Sequence, residues 1–223
     1  MLVTVNTAYK IHEAEYLFRQ SDTHTLIMID SYRDSNYKEI VEELCPELKN
    51  TVSGKSLHSK RLPFLRNVIT VGFNQKGCMN WNEATERSSQ VPKEEVYRLA
   101  AMVDKDDVCN MQYTSGTTGF PKGVMLTHYN VVNNGKCIGD RMGLSTADRM
   151  MIQVPMFHCF GMTLSMTSSM THGATMCPMP YFSAKSSLAC SNMLLTFMVI
   201  MLKNLPSSPG LENATSSCSS KIV

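Results

Sequence analysis

With 223 residues, 43% of them hydrophobic and 18% charged, the chain has a globular composition and enough length to bury a sizeable core, which excludes a fibrous or wholly disordered protein. Its net charge of +2 supplies no electrostatic reason to expect nucleic acid or an anionic membrane as partner.

The opening "MLVTVNTAYK" alternates like a strand and turns at Asn6 and Thr7 into a helical pattern around "HEAEYLFRQSD". "HTLIMID" reads as a strand buried on both faces, and "SYRDSN" as a turn. Tyr37 to Leu44 is a helix that Pro46 ends, residues 49–63 a polar loop, and "NVITVGF" another strand. "WNEATERSS" and "PKEEVYRLAAMV" predict surface helices, the second with Pro92 at its start. Cys109 to Thr114 is a strand, and extended structure resumes at Val124 to Leu126. Thr127 caps a helix to Met142, interrupted in pattern by Gly135 and Gly139. A turn at Ser145 to Asp148, a strand from Met150 to Val154 and a break at Pro155 follow. Gly161 to Thr171 predicts a helix with Met162, Met166 and Met170 on one face, "GATMCPM" a short strand, and Ser183 a cap for a last helix. Strands alternating with helices predict an α/β fold of layered, mostly parallel sheets with flanking helices.

Charge and composition change along the chain. Residues 1–100 carry thirteen acidic and thirteen basic residues, but none of the acidic residues falls between Asp148 and Glu212. Twelve of the 18 methionines follow residue 140, a polarizable stock suited to irregular apolar walls. Beyond Asn192 an apolar stretch gives way to a serine-rich tail. We therefore expect a compact domain over 1–190 and a tail over 191–223 outside it. The eight cysteines show no CxxC or CxxH zinc spacing and read as reduced thiols. No signal-peptide pattern opens the chain, and Met193 to Leu202 is shorter than the ~20 residues of a spanning helix. The expected location is the cytoplasm or the mitochondrial matrix.

"YTSGTTGFPKG" is the stretch richest in chemistry. A strand that ends in hydroxyls and glycines offers backbone N–H groups to phosphate oxygens, and Lys122 adds a cation. A Walker A loop is excluded by register: counted from Gly116, Pro121 stands where the second glycine belongs, and Gly123 follows the lysine.

This stretch resembles the signature of the adenylate-forming (AMP-binding) enzymes. "VTVNTAYKIHEAEYLFRQSD", "THYNVVNN" and "MIQVPMFHCFG" are similar to flanking segments of the fatty acyl-CoA synthetase branch, with medium- or long-chain substrates. The resemblance implies a partial N-terminal domain and a two-step ligase reaction. A fatty acid carboxylate and ATP, with Mg2+, form an acyl-adenylate and diphosphate, and coenzyme A then releases AMP. Thr114, Ser115, Gly116, Thr117, Thr118, Gly119 and Lys122 would contact ATP, with Lys122 also acting in catalysis. His158, with Phe157 and Phe160, would line or gate the acyl site, while no protein metal ligand, nucleic acid or transmembrane segment is expected. The matching segments cover roughly residues 1–190, and no counterpart of the family's adenine-binding segment, ribose-holding acid or C-terminal domain is found. The chain thus reads as a truncated ligase, inactive alone; the alternative is a non-catalytic nucleotide-binding or regulatory module.

Overall fold

Alternating strands and helices build the first part of the chain around two ladders, in a computed structural model that describes residues 1–114 and 121–178. Strand β1 (Leu2–Val3) leads through an Asn6 turn, in which Asn6 accepts the N–H groups of Ala8 and Tyr9, to helix α1 (Ile11–Gln20). The alternation of the opening ten residues is therefore cut short by the turn. α1 buries Ala14, Leu17 and Phe18, spaced three and four residues apart on one face. β2 (Thr25–Met28) is buried along its whole length, as its unbroken apolar run predicts. The turn after it is a short antiparallel hairpin, β3 (Ser31–Tyr32) with β4 (Ser35–Asn36). Asn36 caps α2 (Tyr37–Leu44) by accepting the Glu39 N–H at 3.2 Å.

β5 (Asn67–Thr70) pairs in parallel with β2 and with β6 (Met79–Asn80), giving a sheet of order β2-β5-β6. The surface helices are α3 (Trp81–Arg87) and α4 (Lys93–Ala101), neither of which buries a residue. The second sheet has order β1-β7-β8, with β7 (Val108–Thr114) parallel to β1 and antiparallel to β8 (Lys122–Thr127). α5 (His128–Met142) starts where Thr127 accepts the Asn130 N–H at 3.2 Å, and ends at Gly143 with a φ of 66°. A fourth parallel pair joins β9 (Arg149–Ile152) to β10 (Thr175–Pro178), linked through a π-helix (Phe160–Thr167) and α6 (Ser168–His172). Parallel pairs predominate, as the sequence predicts; the antiparallel β7–β8 hairpin is the main departure. The residue-190 boundary, the tail beyond it and the Ser183 cap lie outside the described residues.

The core joins both sheets: Leu17, Leu26, Val41, Leu44 and Val68 from the first layers meet Val3 and Met111 from the second. Residues 49–63 are not simply a polar loop. Leu57 and Leu62 from this stretch are buried in the same core, together with Leu48 and Leu65 on either side. They carry no helical or strand period, so their burial depends on pinning from outside. Arg61 supplies one tie, with Nη2 at 2.6 Å and Nε at 3.2 Å from the two Glu15 carboxylate oxygens on α1, and the Leu57 N–H supplies another by donating to the Arg66 carbonyl at 2.7 Å.

The methionine-rich helix also differs from its expected form. Over Phe160–Thr167 the turns widen, and the hydroxyls of Ser165 and Thr167 donate to the carbonyls five residues back, of Phe160 and Met162. Wider turns break a stripe spaced by four: Met162 and Met166 are half-buried, whereas Met170 is 66% exposed. Gly135 and Gly139 interrupt the pattern of α5 because the neighbouring helices press against them. A Cβ at Gly135 would lie 2.6 Å from Thr167, and one at Gly139 would lie 2.3 Å from the His172 ring.

His172 ties α6 to α5. Its Nε2 lies 3.0 Å from Asp140 Oδ1 and its Nδ1 2.9 Å from the Ser168 carbonyl, while Lys136 Nζ reaches Asp140 Oδ2 at 2.6 Å. Both of these oxygens only accept, so the doubly protonated ring satisfies them best. The Asp140 carboxylate, chiefly, and then the Ser168 carbonyl raise the His172 pKa above its ordinary 6.5. Lys136 and His172 lower that of Asp140 below its ordinary 3.8.

Two measurements test this packing. Leu57→Ala lowers unfolding stability by about 3 kcal/mol in urea titrations, because it empties a core site and not a solvated loop. The raised His172 pKa means that its contribution is complete below 6.5 and is lost as pH rises through the folded-state value. The stability difference between the wild type and His172→Gln therefore shrinks on alkalinisation, and a difference that widened would contradict the clasp.

Candidate functional site

The β7–β8 hairpin has two unlike faces. Met111, Tyr113 and Met125 turn toward the core, and the Tyr113 hydroxyl donates to the Leu17 carbonyl at 3.4 Å. Gly123 stands opposite Tyr113, where a Cβ would lie 3.2 Å from the phenol ring. A side chain there would require Tyr113 and the Met111 sulfur, 3.1 Å from that Cβ, to give way slightly. The other face carries Gln112 and Thr114 on β7, with Val124 and Leu126 on β8.

That second face floors a groove of about 400 Å³. α5 forms one wall through Asn130, Val131, Asn134 and Ile138, residues that recur at helical spacing. His158, Cys159 and Phe160 form the opposite rim, and Thr163 and Leu164 of the π-helix lie below them. No Asp, Glu, Lys or Arg is among the described residues lining it. Gly161 allows the rim to fold tightly, since a Cβ there would stand 2.4 Å from the Pro155 carbonyl oxygen.

The residues singled out by the sequence are brought together only in part. Thr114 and Lys122 are cross-strand partners on the last rung of the β7–β8 ladder, so they hold the two ends of the glycine-rich stretch side by side. Both are exposed. Ser115, Gly116, Thr117, Thr118 and Gly119 lie outside the described residues. Thr114 also lines the groove, which Lys122 does not. His158 is exposed on the groove rim, where its Nδ1 accepts the Phe160 N–H at 3.1 Å. That bond places the proton of the neutral ring on Nε2. Phe160 lines the groove beside it, whereas Phe157 does not; its carbonyl accepts the Thr4 hydroxyl at 3.0 Å. His128, at the start of α5, donates its backbone N–H to the Asp107 carbonyl at 3.1 Å and so ties the helix to the turn before β7.

Gln112, Asn130, Asn134, Cys159 and Thr163 are groove residues that sequence reasoning missed. The spacing of Asn130, Val131, Asn134 and Ile138 on a helix starting at Thr127 was the available signal for one wall. Nothing local marks the others.

Asn110 precedes Gln112 on the same alternation of β7 and is 3% exposed. Among the described residues neither its Oδ1 nor its Nδ2 has a hydrogen-bond partner. An unpaired buried amide costs stability that an apolar side chain of similar volume does not. Asn110→Leu is accordingly expected to raise stability by about 1 kcal/mol in thermal melts.

Comparisons with known proteins bear on this arrangement. The family model described as AMP-binding enzyme matches residues 1–201. YngI of Bacillus subtilis (strain 168), named an acyl-CoA synthetase, is 48% identical over 183 residues, which are 82% of this chain and 33% of YngI. Human ACSF2, named a mitochondrial medium-chain acyl-CoA ligase, is 32% identical over 194 residues, covering 84% of this chain and 31% of ACSF2. Among solved structures, the anthranilate CoA ligase AuaEII in complex with anthranoyl-AMP matches with a TM-score of 0.59 at 23% identity, over 87% of this chain and 32% of that one. Apo MbtA of Mycobacterium smegmatis matches with a TM-score of 0.62 at 20% identity, over 86% of this chain and 31% of that one. The chain spans about a third of the length of the relatives it matches.

Proposed function

We propose, because the chain belongs to the AMP-binding enzyme family, that it provides the phosphate loop and part of the acyl site of an ATP-dependent acyl-CoA ligase. Its fold is part of the N-terminal domain of the adenylate-forming enzymes. The observation that carries the reading is the Thr114–Lys122 rung, which joins the ends of the glycine-rich stretch beside an uncharged groove.

In this reading Thr114, Ser115, Gly116, Thr117, Thr118, Gly119 and Lys122 receive the phosphates of ATP. A fatty acid carboxylate attacks the α-phosphate, diphosphate leaves, and coenzyme A displaces AMP from the acyl-adenylate. Lys122 offsets negative charge gathering on the departing diphosphate. His158 and Phe160 border the acyl chain, and the groove falls within the ~300–1,000 Å³ typical of small-molecule sites. The medium-chain activity in the name of ACSF2 supports an acyl substrate of that class.

The described residues contain no group of three His, Cys, Asp or Glu suited to hold a metal. Mg2+ is read as arriving on the nucleotide phosphates, the usual mode for this hard cation. Among the described residues no helix is long and apolar enough to cross a membrane. The word mitochondrial in the name of ACSF2 supports the mitochondrial reading of location.

Calorimetric titration with MgATP tests the loop directly. Lys122→Ala is expected to weaken nucleotide binding by about tenfold, the loss of one charge-assisted contact. Equal binding by the two chains would sink the reading. Fatty-acid-dependent ATP–diphosphate exchange that disappears in the same variant would assign catalysis to this chain; nucleotide binding without exchange would make it a nucleotide-binding module.

A further inference from the structure

The groove rim holds a nucleophile that the ligase reaction does not use. Cys159 is exposed, lines the groove, and has its Sγ 3.7 Å from Nδ1 of the His158 imidazole. The other described thiols are placed differently. Cys45 and Cys78 are buried in the core, where desolvation, chiefly, pushes their thiols up to about 11 and about 12. Cys109 is half-buried and donates to the Leu126 carbonyl at 3.4 Å. Cys137 is exposed on α5 and Cys177 half-buried on β10, and neither lines the groove. Cys159 alone among the described thiols combines solvent access, an adjacent base and an uncharged binding surface.

We propose that Cys159 is a site of S-acylation by medium-chain acyl thioesters seated in the groove, with His158 as the base. The proposal rests on reading the groove as an acyl site. The step is a thioester exchange. Nδ1 of His158 takes the thiol proton, and Sγ of Cys159 adds to the thioester carbonyl. The bond from that carbonyl carbon to the sulfur of coenzyme A then breaks, and the leaving thiolate recovers the proton from the imidazolium. One thioester replaces another, no oxidant or reductant enters, and the products are S-acyl-Cys159 and free coenzyme A.

The local geometry suits this sequence. The Phe160 N–H donates to Nδ1 at 3.1 Å, and the sulfur lies 3.7 Å from the same nitrogen. Protonating Nδ1 gives up that hydrogen bond, which re-forms once the proton has passed to the leaving group. The apolar side chains Val124, Leu126, Val131, Ile138 and Leu164 offer the chain of a bound thioester a surface beside Cys159. Because exchange between thioesters is nearly balanced in free energy, the ratio of acyl-CoA to free coenzyme A sets the extent of modification. An acyl group fixed at Cys159 occupies the groove and excludes the next carboxylate. The product of the proposed reaction thereby restrains its own formation.

Selectivity within the unmutated full chain tests the proposal without relying on a variant that folds. The chain is incubated with octanoyl-CoA or acetyl-CoA, and hydroxylamine-sensitive acyl groups are mapped by peptide mass spectrometry. In parallel, N-ethylmaleimide labelling of Cys159 is followed with and without octanoate. Octanoylation is expected at Cys159 at a rate at least about tenfold above that at Cys137, as access beside a base dictates. It is expected to be slower from acetyl-CoA, and slowed by about 100-fold in His158→Gln. Equal acylation of Cys137, Cys190 or Cys218 overturns the proposal. Shielding of Cys159 by octanoate without acyl transfer overturns S-acylation and leaves the acyl groove standing. Transfer indifferent to chain length, with no shielding, removes the acyl-groove reading and the proposal that depends on it.

Discussion

Everything at the site depends on the antiparallel pairing of β7 with β8. The ladder runs from Val108 against Thr127 to Thr114 against Lys122, so the glycine-rich stretch leaves and re-enters the fold through one backbone rung. A rung fixes separation and direction at both ends, which lowers the conformational entropy that the proposed nucleotide would have to remove on binding. The rung is held in turn by the core face of the hairpin. Tyr113 lies across Gly123 and bonds to the Leu17 carbonyl, while Met111 pairs with Met125 over the same cluster. The Thr114–Lys122 end of the hairpin is therefore anchored to α1, an element that contributes no described side chain to the groove.

The groove arises from a second constraint, the close approach of α5 to the π-helix and α6. Gly135 and Gly139 remove the side chains that would keep these helices apart. Helices allowed to touch at those points enclose space over the polar face of β7, where Gln112 and Thr114 form the floor. The widened turns from Phe160 to Thr167 belong to the same arrangement. Hydroxyls of Ser165 and Thr167 satisfy carbonyls five residues back, so the segment keeps its polar groups paired while His158 to Phe160 stay on the rim. Small and hydroxylated residues here act through what they permit the backbone to do.

Local chemistry was legible in the sequence where one residue type decides the outcome. Pro46 stops α2, Thr127 starts α5, and the unbroken apolar run of β2 reports burial on both faces. Thr114, Lys122 and His158 were singled out because the order of residues in their motifs is specific, and the structure places them at the hairpin end and the groove rim. Burial that depends on a distant partner was not. Leu57 and Leu62 look like scattered apolar residues in a polar stretch until Arg61 pins that stretch to Glu15. The methionine spacing reads as one α-helical face because nothing in a string of letters announces a π-turn. Cys159 and Thr163 enter the groove only through the helix packing that Gly135 and Gly139 allow.

Polarity is divided along the hairpin, and that division constrains the proposed chemistry. Lys122 is exposed at the loop end, where an ammonium keeps its hydration, and no Asp, Glu, Lys or Arg is among the described residues lining the groove from Thr114 inward. A fatty acid has the same division within one molecule. Its chain gains by leaving water, whereas an isolated carboxylate buried among Val124, Leu126 and Ile138 would be costly. In the proposed reaction the chain therefore lies inward and the carboxylate stays at the loop end. Thr114 is the residue common to both regions: it is one half of the rung with Lys122 and part of the groove floor. Attack on the α-phosphate requires the carboxylate and the nucleotide to meet, and Thr114 is where these two surfaces adjoin.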